Sequence, residues 1–254
     1  MARLASIIAL IVGITVLAAV LIERSNAVVY EDRIVLALLN TIFLSGISFV
    51  IAFLSAEGYL RGGAVRMLLL GSAVLSFGGS SLIAGWIIFV KGPNAVVTMH
   101  NTGVFVASLL YLGSVNVGNN LASNNVRRTR LLIAYAGIVI LEGLLTYATL
   151  TGMLPVFFIQ GVGPTLVRQI ILGAGTVLFA ASAIAYGKLY KVSRSSVLYW
   201  YSVGLFLITL GLVAIFFQAN VGSILGWVGR FSQYLGSLYL LASVVVAKQL
   251  LEKK

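Results

Sequence analysis

Six acids occur in the chain, and Glu142 is the one set deep within an apolar run, about twelve residues beyond Arg130. An ionised carboxylate at that depth in a membrane costs on the order of 3 kcal/mol. It must therefore be paired, hydrated or protonated. Tyr135, Thr146 and Thr149 stand seven before, four after and seven after it, on one helical face. Two readings follow: a site that responds to a proton or ligand, and a protonated carboxyl donating one interhelical hydrogen bond. His100 is the only histidine, with Gly103, Ala107, Tyr111 and Ser114 continuing a small and polar stripe behind it. It reads either as a pH switch or ligand contact, or as a ring hydrogen-bonded at a helix end. Arg230, Gln233 and Ser237 share helical spacing below Trp227, while Arg168 and Gln169 open another apolar segment at similar depth. His100, Glu142, Gln160, Arg168, Gln218, Trp227, Arg230 and Gln233 are thus the candidate ligand-binding residues of an outward-facing polar cavity. Arg230 is the natural counter-charge there for Glu142 or for an anionic ligand. The alternative is that both arginines snorkel to outer headgroups.

What must position these residues is a set of membrane helices. Hydrophobic residues make up 60% of the chain and charged ones 9%, with a mean hydropathy of +1.08, far from the balance of a soluble domain. Apolar runs lie near 4–22, 34–55, 67–90, 97–118, 131–152, 169–190, 198–218 and 226–247, each about as long as the 20 residues that cross a bilayer core. Lipid-exposed backbone must be bonded within its own segment, so each run is expected to be helical. A barrel would show alternating segments about half that length. The expected architecture is an all-α membrane protein, a bundle of about eight transmembrane helices forming one domain over residues 1–254. The first run is longer than a signal-peptide core and is expected to be retained.

The net charge of +11 is a topology signal. Twelve of the 17 basic residues, among them Arg61, Arg66, Arg127, Arg128, Arg130, Lys188, Lys191 and Lys248, fall inside if both termini are cytoplasmic. Arg24, Arg33, Lys91, Arg168 and Arg230 then fall outside, and the opposite orientation reverses the bias. No basic patch is interleaved with aromatics as single-strand binding wants, so nucleic acid is not an expected partner. Twenty-seven glycines, many within the runs, imply close helix approach. The third segment, with Gly71, Ser72, Ser76, Gly78, Gly79, Ser80, Ser81 and Gly85, is expected in the bundle interior. Tyr199, Trp200 and Tyr201 at one end of the seventh segment, with Phe216 and Phe217 at the other, suit the two interfaces.

The connection from Pro155 to Arg168 is apolar where a solvated loop would be polar, and is expected to fold back onto the bundle mouth. Pro164 suits the first turn of the following helix and Thr165 can cap it. It lacks the Lys-Ser/Thr and preceding strand of a phosphate-binding loop.

Four stretches carry a resemblance: His100 to Gly103, Pro155 to Thr165, Leu198 to Gly204, and Gly226 to Gly236 with its Trp227, Arg230 and Gln233. Across roughly residues 95 to 245 the chain resembles the multi-spanning MASE3-type sensor regions of PAS-containing histidine kinases and diguanylate cyclases. The resemblance implies detection of an extracytoplasmic or membrane-borne stimulus and its relay through the last helix. Six residues follow Lys248, so the expected protein is an input module without the family's output domain.

Absence of cysteine removes disulfides, thiolate metal sites and iron–sulfur clusters, and one histidine cannot give bis-histidine haem ligation. No metal-ligand cluster, nucleophile constellation or pair of catalytic acids lies in reach, so an enzyme, a cofactor and a bound metal are not expected. The expected function is a signal-input module in the cell membrane, binding a small or lipid-like ligand in the polar cavity. Its expected partners are membrane lipid, a small-molecule ligand and a cytoplasmic or membrane protein. A structural or accessory subunit of a larger complex is the alternative, followed by a transporter or channel, for which paired broken segments in two halves are lacking.

Overall fold

Apolar runs of this length have one way to satisfy their backbone in lipid, and the chain is helical almost throughout. The computed structural model describes residues 2–23, 32–118, 120–159 and 162–252. Helix α1 is Ala2–Glu23. Helix α2 (Arg33–Leu39) runs through a π-helical turn, Asn40–Gly46, into α3 (Ile47–Gly62). Then come α4 (Val65–Asn116), α5 (Asn124–Thr151), a two-residue hairpin pair β1 (Phe158–Ile159) and β2 (Gly163–Pro164), α6 (Leu166–Ser193), α7 (Ser196–Phe217) and α8 (Ile224–Glu252).

Among the described residues, five helices are long and apolar enough to cross a membrane: Arg33–Gly62, α4, α5, α6 and α7. This is the architecture of a multi-pass membrane protein. Helix α4 accounts for two of the expected segments, because its 52 residues would reach about 78 Å as a straight rod. Gly92, with φ 72° and ψ −167°, breaks it just before Pro93. The broken helix folds into two rods, one for 67–90 and one for 97–118. Helix α1 has a shorter apolar stretch, Ser6–Leu21, and α8 mixes Arg230 and Gln233 into its apolar sequence.

Helix ends follow local chemistry. Asp32 caps α2 by accepting from the backbone N–H groups of Ile34 and Val35, both at 3.0 Å. Gly63 ends α3 with φ 75°, a left-handed geometry that glycine adopts without steric penalty. Arg127 reaches back across this end, donating to the carbonyls of Ala122, Leu60 and Arg61 at 3.0, 3.1 and 2.9 Å. These groups mark the Gly63 end of the bundle. The opposite end, where α5 and α7 finish and α6 and α8 begin, is the Gly92 end.

Packing follows the small residues. A Cβ on Gly211 would lie 2.4 Å from the Gly229 carbonyl oxygen, and one on Gly236 would lie 2.8 Å from the Gly204 carbonyl oxygen. The α7 and α8 backbones therefore touch along two turns, the close approach that stabilises helices where no hydrophobic drive exists. Helix α4 is the most buried of the five spans and α5 the least. The third expected segment, in the first half of α4, does lie in the interior, with Gly78 against Ser48 and Gly71 against Tyr135. Phe77, Tyr111, Phe179, Leu205 and Leu212 form the centre of the core.

Candidate functional site

At the Gly92 end the chain builds a lid over the bundle mouth. Asn94, just past the Gly92 break, accepts from the Phe157 and Phe158 N–H groups, both at 2.9 Å. Thr165 closes the loop on itself, donating its backbone N–H to the Phe157 carbonyl at 3.0 Å and its hydroxyl to that of Val156 at 2.7 Å. The same Thr165 hydroxyl caps α6 by accepting from the Arg168 N–H at 3.4 Å. The apolar connection thus folds back, with Phe157 and Phe158 buried.

Beneath this lid lies a narrow cavity lined by Asn40, His100, Asn101, Phe158, Arg168, Gln218, Arg230 and Gln233, with Leu44, Ala84, Val96 and Ile215 among its apolar walls. It holds ≈ 30 Å³ of space for water centres, room for about two waters. Five of the eight candidates from sequence, His100, Arg168, Gln218, Arg230 and Gln233, meet here. Trp227 does not line the cavity, but its ring lies 5.6 Å from the Arg230 guanidinium carbon, within cation–π range. Gln160 lies outside the described residues.

Glu142 lines a different place. Its Oε1 accepts from the Ser76 hydroxyl at 3.0 Å, between the two rods of α4, where a Cβ on Gly103 would lie 3.5 Å away. Tyr135, on the same face of α5, donates to the Ala52 carbonyl at 2.7 Å, and Thr146 and Thr149 donate to carbonyls one turn back in their own helix.

Sequence reasoning missed Asn40, Asn101 and Phe158. Asn40 is an amide inside an apolar run, and that oddity was the available signal. It begins the π-helical turn and accepts from the Tyr234 hydroxyl at 2.8 Å, and π turns gather at functional sites. Asn101 directly follows His100. Phe158 carries no signal of its own, since only the folding of the loop brings it inward.

The arginines have not snorkelled. Arg168 is 2% exposed and Arg230 9%. Arg168 donates Nη2 to the Ile215 carbonyl at 2.7 Å, and its neighbour Gln169 donates to that of Phe216 at 3.4 Å. These carbonyls end α7, the negative pole of its dipole, which offsets part of the guanidinium charge. Several buried polar atoms of the lining side chains have no hydrogen-bond partner among the described residues: His100 Nε2, Asn101 Nδ2, Arg168 Nε and Nη1, and Gln233 Nε2 and Oε1. Such atoms each cost about 1–3 kcal/mol when left unbonded. They converge from α4, α6 and α8 on one small space.

Among the described residues no group of three or more His, Cys, Asp or Glu could hold a metal ion. Comparison with protein-family models, curated proteins and solved structures gives no match.

Proposed function

We propose that this chain is a signal-input module of the cell membrane that binds a small ligand in the Gly92-end cavity. The cluster of buried, unpartnered polar atoms from three helices carries this reading, because interior glue would bond its own atoms to one another. The excess of basic residues at the Gly63 end supports a cytoplasmic position for that end and for both termini. The cavity then faces outward, and eight helical rods cross the membrane.

The resemblance to MASE3-type regions supports the sensory role, and α8 supplies a route. It presents Arg230 and Gln233 to the cavity, and at its other end Lys248 lies 3.8 Å from Glu57 of α3. A ligand moves this helix only by binding one packing of the bundle more tightly than another.

An experimental density map of the detergent-solubilised protein tests the reading. Non-protein density beneath Phe158 is the expected result, and a mouth closed by side chains alone would sink it. A reporter fused after Lys254 is expected in the cytoplasm, and an external reporter would reverse the orientation.

A role as accessory subunit draws support from α5, whose Leu132, Ile133, Val139, Ile140 and Leu144 are exposed. Co-purification of a stoichiometric membrane partner, lost when these residues are replaced by small ones, would favour it.

A further inference from the structure

We propose that the guest of the Gly92-end cavity is a carboxylate, held at Arg168 and Arg230 with its carbon body against the apolar wall. This identification rests on the ligand-binding reading above and narrows it to one chemical class.

Charge comes first. Among the described residues the lining contains two guanidiniums and no Asp or Glu. Two buried cations facing one small space repel each other, and an anion between them turns that repulsion into attraction. A cationic guest is therefore rejected.

Hydrogen-bonding capacity points the same way. Arg168 Nε and Nη1 and the amide nitrogens of Asn101 and Gln233 are donors only, and among the described residues they have no partner; against these four donors stands one acceptor-only atom, Gln233 Oε1. A ligand that matches them must bring acceptors. An ionised oxyanion does so, with bonds to charged donors roughly twice as strong as neutral ones.

Wall chemistry then separates the oxyanions. Space for about two waters beside the arginines takes a head group of two oxygens, and the carbon body extends beyond it along the apolar wall. A tetrahedral phosphate or sulfate carries oxygens on every side of its central atom and would turn some of them to that wall. Leu44, Ala84, Val96 and Ile215 offer nothing to extra oxygens and suit an alkyl or aryl body. The carboxylate has two possible sources, a short water-soluble acid from outside or a fatty acid from the bilayer, and both present the same head group.

The test uses the full chain in a neutral maltoside detergent, melted by tryptophan fluorescence at constant ionic strength with sodium chloride, phosphate, acetate, butyrate or octanoate. Carboxylates are expected to raise the melting midpoint of the wild type, while phosphate leaves it at the chloride value. Arg168→Gln is expected to weaken the response by about 30-fold in concentration or more. Gln233→Glu supplies a built-in carboxylate at near-constant shape. It is expected to melt higher than wild type without added acid and to stop responding to it, which keeps the test open if Arg168→Gln fails to fold.

A response already complete with acetate identifies the soluble source; one that grows through octanoate and recurs with palmitate in phosphatidylcholine nanodiscs identifies the bilayer source. An equal response to phosphate, an undiminished response in folded Arg168→Gln, or no carboxylate response at all overturns the assignment. A neutral compound found in the cavity would also overturn it while leaving the ligand-binding reading intact. A side-chain-filled cavity would end both.

Discussion

Two buried polar clusters sit in one helical bundle and are built in opposite ways. Around Glu142 the residues are small: Ser76 donates to the carboxyl, and Gly79 and Gly103 let α4 close upon it. One atom there, Glu142 Oε2, is buried without a partner among the described residues. Around Arg168 the side chains are long, and six such atoms from His100, Asn101, Arg168 and Gln233 converge on a space they do not fill. Burial alone therefore does not identify a binding site. A short hydroxyl beside a carboxyl draws two helices together and removes the space, whereas the long side chains around Arg168 leave one.

The strongest blow to the first cluster is Gly103→Val. A Cβ there would lie 2.0 Å from the Ser80 Cβ, so the two rods of α4 must separate beside Glu142. We expect a loss of about 3 kcal/mol, seen as a lower melting midpoint. A variant as stable as the wild type would show that tight closure around the acid is not what holds these rods.

The second cluster should respond in the opposite sense. Arg168→Met removes an incompletely compensated buried cation and leaves an unbranched apolar side chain. Without ligand we expect stability to be unchanged or raised by up to about 2 kcal/mol. A fall of that size would make Arg168 structural glue and erase the contrast.

Smaller effects sharpen it. Ser76→Ala removes the hydroxyl that Glu142 accepts from, and should lower stability by about 1 kcal/mol while leaving the carboxylate response of the other cluster unaltered. A changed response would join the two sites. Tyr234→Phe removes the bond to Asn40 and should cost about 0.6 kcal/mol, read in the same melting assay. No measurable cost would mean that the π-helical turn is held by packing alone.

Much of this was legible before folding. The apolar runs set the helices, the small residues of the third segment pointed to the interior, and Pro155 to Arg168 was too apolar to stay in water. His100, Arg168, Gln218, Arg230 and Gln233 were placed together because helical rise assigns a depth to each polar residue along a membrane-crossing rod. For Glu142 depth was not enough. The acid lies ten residues before Gly152, about 15 Å down its helix from the Gly92 end and close to the depth of Gln233, but its carboxyl meets Ser76 between the rods of α4 instead of the cavity. Asn40 sits at the right depth, yet a single amide in an apolar run says nothing about the direction in which it points.

Composition and periodicity, then, determined the medium and the secondary structure, because lipid imposes its demand on every segment separately and each can be read in isolation. Which polar residues meet was decided only by the tertiary structure. Rotation about a helix axis and the fold of the lid depend on which small residues on neighbouring rods come into contact, a property of pairs of segments that no single segment carries.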